Sequence, residues 1–289
     1  VTAISETAAI IDGPGVYDIP EDAYHADPVP GCSLSSSGAR LIMQPGGPAR
    51  YHWQQTHPQP PKKAFDLGHA AHKLVLGAGP ELVRIPADEW RTKEIKEQVA
   101  RARERGAVPL KPADYQTVHD MADAIRRHPI ASALFDPALG EPEKTLIWQD
   151  EQAGIWRRAR LDWLPRPDDG RLIVGDYKTT TDASRAAIAK SVANYGYHCQ
   201  QPWYLDGVTA VGIDDDPVMV FVFQEKTAPY LIQIVELDPD DVQAGREANQ
   251  RAIDIYAHCQ ATGIWPGYST EIATIALPRW ANTTFEEIL

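Results

Sequence analysis

Cysteine is scarce in this chain: three among 289 residues, Cys32, Cys199 and Cys259, widely scattered. They form no CxxC pair and cannot supply four ligands to zinc or to an iron–sulfur cluster. The simplest expectation is a reducing cytoplasm. No apolar run approaches 20 residues, so no transmembrane helix and no membrane partner are expected. The first residues, VTAISETAAIIDGPG, lack a basic n-region, and no secretory signal is expected. There is no G-x-x-x-x-G-K-S/T loop and hence no helicase-type nucleotide motif. Neither an internal repeat nor a long linker divides the chain. We therefore expect one domain over residues 1–289: a loop-rich segment at 1–60, a core at 64–236, and a helix and tail at 237–289.

What is present is ordinary globular composition, 43% hydrophobic and 24% charged. Acids outnumber bases 40 to 28, a net charge of −12, which argues against nonspecific polyanion binding over the whole surface. The excess is uneven. From Asp206 onward there are 14 acids and 4 bases, leaving 26 acids and 24 bases before it. A nucleic-acid site in the first two thirds is compatible with that balance.

Proline and glycine punctuate the first 60 residues, where LSSSGARLIMQ opens on serines that cap a short helix. Residues 64–77, AFDLGHAAHKLVLG, have helical periodicity, and 112–135 read as another amphipathic helix. KEIKEQVARARER, 93–105, is a charged helix or arm whose bases alternate with glutamates, normally a solvated face. The period then changes. EKTLIWQ, GIWRRARLDWL and GRLIVGDYK read as three strands joined by short turns. Helices are expected around 182–193 and 196–210, strands at PVMVFVFQ and PYLIQIVEL, and a long helix at 239–262. The fold class is α/β, a mixed central sheet flanked by helices.

The chemistry concentrates in the meander. Asp162 is placed near the end of its second strand and Asp176 near the end of the third, so the turn between them brings two carboxylates together. Two such groups repel unless a cation lies between them, and hard oxygen donors favour Mg²⁺ or Mn²⁺. Lys178 is two residues past Asp176 and faces the same side of a strand. There it can position a water or offset phosphate charge. The bland alternative is a surface ion pair. His69 and His72 stand three apart on the expected helix, either as polar edge residues or as metal ligands. Gln200 and Tyr204, four apart, either border an ordinary amphipathic helix or line a cleft that binds phosphate or base.

Together these segments resemble the PD-(D/E)XK nuclease superfamily and, within it, the RecE-type phage and prophage exonucleases. LSSSGARLI with PARYHW resembles the opening helix, and FDLGHAAHKLVLG the G-x-x-x-H helix. RARLDWL and VGDYKTT resemble the D…D-x-K strands, YHCQQPWYLDG the Q-x-x-x-Y helix, and GIWPGY with LPRWA the closing segment. The resemblance implies His72, Asp162, Asp176 and the Tyr177 carbonyl as metal ligands for Mg²⁺, with Mn²⁺ as a substitute, and Lys178 as the catalytic lysine. It implies Gln200 and Tyr204 as DNA-holding residues and Ser35 and Ser37 as phosphate contacts. Arg158 and Arg160 are candidates for phosphate, although alternation puts them on Asp162's own face and suits one of them to a structural role. His69 departs from the small or hydroxyl residue of that pattern. The implied activity is degradation of linear double-stranded DNA from 5′ ends, leaving 3′ single strands for an annealing protein, in an enzyme that often forms rings. Alternatives are a DNA-binding or assembly module with the same scaffold, or an endonuclease of the same superfamily.

Overall fold

The computed structural model describes residues 11–57, 67–167 and 170–278. In chain order, the first part contains β1 (Gly15–Tyr17), α1 (Glu21–His25), β2 (Ser33–Ser35), α2 (Ser36–Ile42) and α3 (Gly47–Thr56). There follow α4 (Leu67–Leu76), β3 (Leu82–Arg84), α5 (Lys93–Glu104), β4 (Val108–Leu110), α6 (Pro112–Arg127) and α7 (Pro129–Leu134). The meander is β5 (Gly140–Asp150), β6 (Ile155–Pro165) and β7 (Ile173–Thr180). The remainder is α8 (Arg185–Tyr195), α9 (Tyr197–Ala210), β8 (Val218–Glu225), β9 (Ile232–Val235) and α10 (Pro239–Thr262).

The main sheet runs β1-β5-β6-β7-β8-β9, with β2 added alongside β6. The meander is antiparallel, as its short turns require. β7 and β8 are parallel, and α8 and α9 make the crossover that parallel pairing demands. β3 and β4 form a separate two-stranded sheet. The fold is therefore α/β with a mixed central sheet flanked by helices.

Apolar side chains cover both sheet faces. On one face Leu146, Trp148, Leu161, Phe221 and Phe223 pack with Trp203 of α9 and with Ile253 and Tyr256 of α10. On the other, Trp163, Tyr177 and Val222 pack with Ala71 of α4, Met121 of α6 and Phe135. Burial of this kind contributes about 25 cal/mol per Å² of apolar surface and dominates the stability.

Three expectations need correction. The N-terminal segment is not merely loop: β1 pairs with β5, and β2 lies parallel to β6 with Leu34 opposite Arg157. Strands of three residues are too short to show a period. The helix expected over 112–135 is two helices. Pro129 disfavours helical geometry at the residue before it, and His128 turns extended (φ −79°, ψ 121°). Its Nδ1 then accepts from the N–H of Ala131 and starts α7. Finally, Asp176 is mid-strand in β7 and wholly buried, not at a strand end. Of the helix read at 64–77, residues 64–66 lie outside the described residues, as does part of the LPRWA segment.

α8 and α9 meet at Gly196, whose φ of 67° ends one helix and begins the next. Glycine is required there twice over. The conformation is left-handed, and an added Cβ would come within 2.7 Å of Arg40 Cδ. This corner aims α9 across the sheet, with Trp203 turned in and Gln200 turned toward Asp176.

Candidate active site

β7 is paired over eight residues with β8 but registers a single pair with β6, Trp163 opposite Gly175. Past that pair the strands part. The N–H of Tyr177, which loses a ladder partner, donates instead to Asp162 Oδ2 at 2.9 Å. Asp162 thus sits in the parting with its carboxylate fixed by the neighbouring strand.

The cause lies partly in β5. Glu143 has φ 57°, a left-handed value that costs a side-chain-bearing residue about 1 kcal/mol. It falls opposite Asp162, between the flanking pairs Pro142–Trp163 and Lys144–Leu161. Leu161 packs on one face and Trp163 on the other, although strict alternation would put both on one side. Alternation therefore slips at Asp162, although Arg160 still lines the cleft beside it.

Around the parting the side chains converge from both faces. From α4, His72 places Nε2 3.1 Å from Asp162 Oδ2 and Nδ1 3.2 Å from Glu143 Oε1. From β7, the Lys178 ammonium is in direct ion-pair contact with Asp176 Oδ2 and lies 3.9 Å from Asp162 Oδ2. From α9, Gln200 Nε2 donates to Asp176 Oδ1 at 2.7 Å. Tyr177 turns to the opposite face, where its hydroxyl donates to Gln224 Oε1. Gln200 and Tyr204 share the lining of a cleft of about 1570 Å³ with His72, Asp162 and Lys178.

The charges are strongly coupled. Burial pulls the His72 imidazole down, but Asp162 and Glu143 outweigh it and hold its pKa at about 10. Burial raises Asp162, yet Lys178 and His72 overcome that and hold it well below the usual carboxylate range. Burial, then the charge of Asp162, pushes Asp176 up to about 7 against the pull of Lys178. Burial disfavours the Lys178 cation, but the two aspartates hold its pKa above the ordinary lysine value.

Among the described residues no three His, Cys, Asp or Glu side chains form a ready-made metal cage. The donor chemistry nevertheless fits a hard divalent cation. Two buried carboxylates and an imidazole face one parting, and Asp176 Oδ2 accepts no hydrogen bond of regular geometry. The Lys178 ammonium supplies the positive charge between them.

The other expected residues are placed differently. Arg158 is buried, with its guanidinium paired to Asp27 at 2.8 Å and donating to Ser33 Oγ at 2.8 Å. It ties the N-terminal segment to β6 and does not line the cleft. Arg160 does line it, held by Glu143 at 2.6 Å and by the Ile19 carbonyl at 2.7 Å. Ser35 Oγ accepts from the N–H of Gly38 and lies 3.1 Å from Ser37 Oγ; of the two, Ser37 is the exposed one that reaches the cleft. Of the basic stretch at 101–105, Arg103 reaches the cleft and lies over the Trp90 ring. The side chain of His69 lies outside the described residues. Of the closing segment, Trp265 stacks on Tyr51 and His52 of α3.

Glu143 was the residue missed. It opens the EKTLIWQ strand, and its position opposite Asp162 follows once the hairpin turn at 151–154 sets the register. Its left-handed backbone had no signal in the sequence.

The sequence over residues 48–278 matches the family described as a PDDEXK-like domain of unknown function. No curated protein matches it. A crystal structure from Eubacterium rectale, described as a "putative exonuclease", superposes with a TM-score of 0.56 at 9% identity, covering 92% of this chain and 98% of that one. The structure of SSO0001 reaches a TM-score of 0.28 at 16% identity over 71% of this chain and 96% of that one, too low to compare folds. The parted β6 and β7, carrying Asp162 and the Asp176-x-Lys178 pair, sit within the matched stretch, and the chain belongs to this family of PDDEXK-like domains, with the fold of the PD-(D/E)XK nucleases.

Proposed function

We propose that the protein is a metal-dependent nuclease that hydrolyses phosphodiesters of linear double-stranded DNA as an exonuclease, working 5′ to 3′. The observation that carries the reading is the Lys178 ammonium set against both Asp176 and Asp162 at the parting of β6 and β7, open to a large cleft. The description of the Eubacterium rectale structure as a "putative exonuclease" adds support for the class of reaction. Direction, product ends, a single-strand annealing partner and a ring assembly rest on the sequence resemblance and are part of the proposal.

His72, Asp162, Asp176 and the Tyr177 carbonyl would hold Mg²⁺ or Mn²⁺. When bound, such an ion polarises phosphate and lowers the pKa of water. The chain's own residues do the rest. Lys178 orients the attacking water and offsets charge on the phosphate. Gln200 keeps the Asp176 carboxylate from rotating. Glu143 orients the His72 ring from behind, as partners of ligating imidazoles do. Arg160 and Tyr204 border the path of the strand.

The test is digestion of linear duplex DNA with Mg²⁺ by the wild type, Asp176→Ala and Lys178→Ala, using separate 5′ and 3′ labels and a closed circle as control. Wild-type digestion from the 5′ label, abolished in both variants, supports the proposal. Undiminished digestion by either variant would refute the assignment, and cutting of the circle would make the enzyme an endonuclease.

A further inference from the structure

Among the described residues three large aromatic side chains stand mostly in solvent: Trp53, Tyr195 and Tyr268. Two of them have local partners away from the candidate site. Trp53 stacks on His57, and the Tyr268 hydroxyl accepts from Arg50. Tyr195 is placed differently. It is the last residue of α8, 60% exposed, at the corner where Gly196 turns the chain into α9. Its ring stacks on that of Tyr197, with centroids 5.7 Å apart and planes at 28°. Tyr197 stacks in turn on Phe221 of β8, so the core backs the exposed ring. The Tyr197 ring also lies 5.3 Å from Lys178 Nζ. Tyr195 is therefore one stacked ring beyond the Lys178 ammonium.

Tyr195 borders a hollow of about 410 Å³, a size typical of small-ligand sites. Ser37 and Arg40 line both this hollow and the large cleft, so the two adjoin. Among the described residues that line it there is no carboxylate, and two exposed side-chain amides, Gln44 and Asn194, stand beside the ring. A supported aromatic ring with amides around it and no acid is the chemistry that receives a flat heterocycle carried on a polyanionic strand.

We propose that Tyr195 is a stacking platform for an unpaired base at the DNA end, in the hollow beside the catalytic cleft. This rests on the nuclease reading and deepens it: the base belongs to a nucleotide near the phosphodiester that meets Lys178. Stacking tolerates any sequence, because every base has a π-face, and that suits an enzyme that works along whatever duplex it meets. The base comes either from the 5′-terminal nucleotide, frayed from its partner, or from the 3′ strand already freed.

Two duplexes carrying the fluorescent base 2-aminopurine separate these sources. One has it at an unpaired 5′-terminal nucleotide, the other at the first nucleotide of a 3′ overhang. With saturating wild-type protein in EDTA, stacking should quench the fluorescence of one of them, and that duplex identifies the strand. Tyr195→Ala should leave the base bright and bind that duplex about tenfold more weakly, the scale of one lost base stack. Tyr195→Phe, which keeps the ring, should match the wild type. Tyr195→Leu, which keeps apolar bulk without a π-face, should match Tyr195→Ala. Because the side chain is exposed at a helix end, all three variants should melt as the wild type does. Wild-type quenching and affinity in Tyr195→Ala would overturn the proposal. So would full quenching by Tyr195→Leu, or a wild type that quenches neither duplex. Nothing is cut in EDTA, so the result is separate from the nuclease reading: a wild type that quenches the base but never digests DNA with Mg²⁺ defeats the nuclease and leaves the platform standing.

Discussion

The carboxylate of Asp162 accepts the backbone N–H of Tyr177 at 2.9 Å, in the place where a ladder bond between β6 and β7 would otherwise be. One side chain thereby satisfies an orphaned donor and stays anchored facing the cleft. The opening between the strands admits His72 from one face and Lys178 from the other. The candidate site is a consequence of incomplete strand pairing.

Replacing the ammonium by an uncharged chain of similar length isolates its chemical role. Lys178→Met is expected to lower kcat about a hundredfold or more, the usual cost of removing a charge aimed at a transition state. Duplex binding in EDTA should persist. Single-turnover digestion measures it, and a rate within twofold of wild type would remove Lys178 from the chemistry.

Glu143 holds both His72 and Arg160, at 3.2 and 2.6 Å. Glu143→Gln preserves the shape and removes the charge. Mn²⁺ affinity is expected to fall about tenfold, typical for the loss of a group that orients a ligating imidazole. Titration of Mn²⁺ by calorimetry reads this directly, and unchanged affinity would show that Glu143 serves the strand geometry alone.

In EDTA the pH dependence has a definite sign. His72 is held at about 10 against an ordinary value near 6.5, so its stabilising contribution is complete below about 6.5 and disappears as pH rises through about 10. Asp176, pushed up to about 7, binds a proton more readily folded than unfolded, so stability also falls from about pH 4 to pH 7. The depressed Asp162 contributes above about pH 4 without further change, its loss coming only in stronger acid. The metal-free protein should therefore lose thermal stability steadily from pH 6 to pH 9, and His72→Gln should flatten the upper part of that slope. Thermal melts across the range check this. A melting temperature that rises with pH would contradict the charge arrangement.

α10 approaches α9 so closely that a Cβ on Gly245 would stand 1.9 Å from the His198 carbonyl oxygen. Pro202, four residues on, has no N–H to give that carbonyl, and Asn249 Nδ2 binds the next one, Cys199 O, at 2.8 Å. Gly245→Ala should force the helices apart and destabilise the protein by about 1–3 kcal/mol, the usual cost of overpacking. Because α9 carries Gln200, activity should fall along with the urea midpoint. A midpoint equal to wild type would mean that the helices shift without strain.

Much was legible before any coordinates. The meander, the crossover helices, β8, β9 and α10 are legible as apolar or alternating stretches of four or more residues set between turn and cap signals, β8 as an unbroken apolar run. The D-x-K spacing puts Asp176 and Lys178 on one face of β7 because the strand repeat is local, and Gln200 and Tyr204 share a face of α9 for the same kind of reason. Tyr177 turning away from its neighbours was predictable on that basis, and Gln224 now receives its hydroxyl.

What alternation and spacing could not show are relationships set by distant chain segments. Arg158 is a cleft candidate on local alternation, but Asp27 and Ser33, more than 120 residues earlier, claim its guanidinium. Glu143 looks like the first residue of a strand until the hairpin register sets it opposite Asp162 and its backbone turns left-handed. Arg40 stands in the serine-led helix that the sequence already singles out, but only the tertiary structure puts it against Gly196 and among the residues lining the cleft. The sequence by itself determined the elements and the order of their chemical groups, because those depend on neighbours a few bonds away. The tertiary structure decided the parting of β6 and β7 and which charges are neutralised inside it. Those outcomes depend on packing and electrostatics summed over the whole sheet.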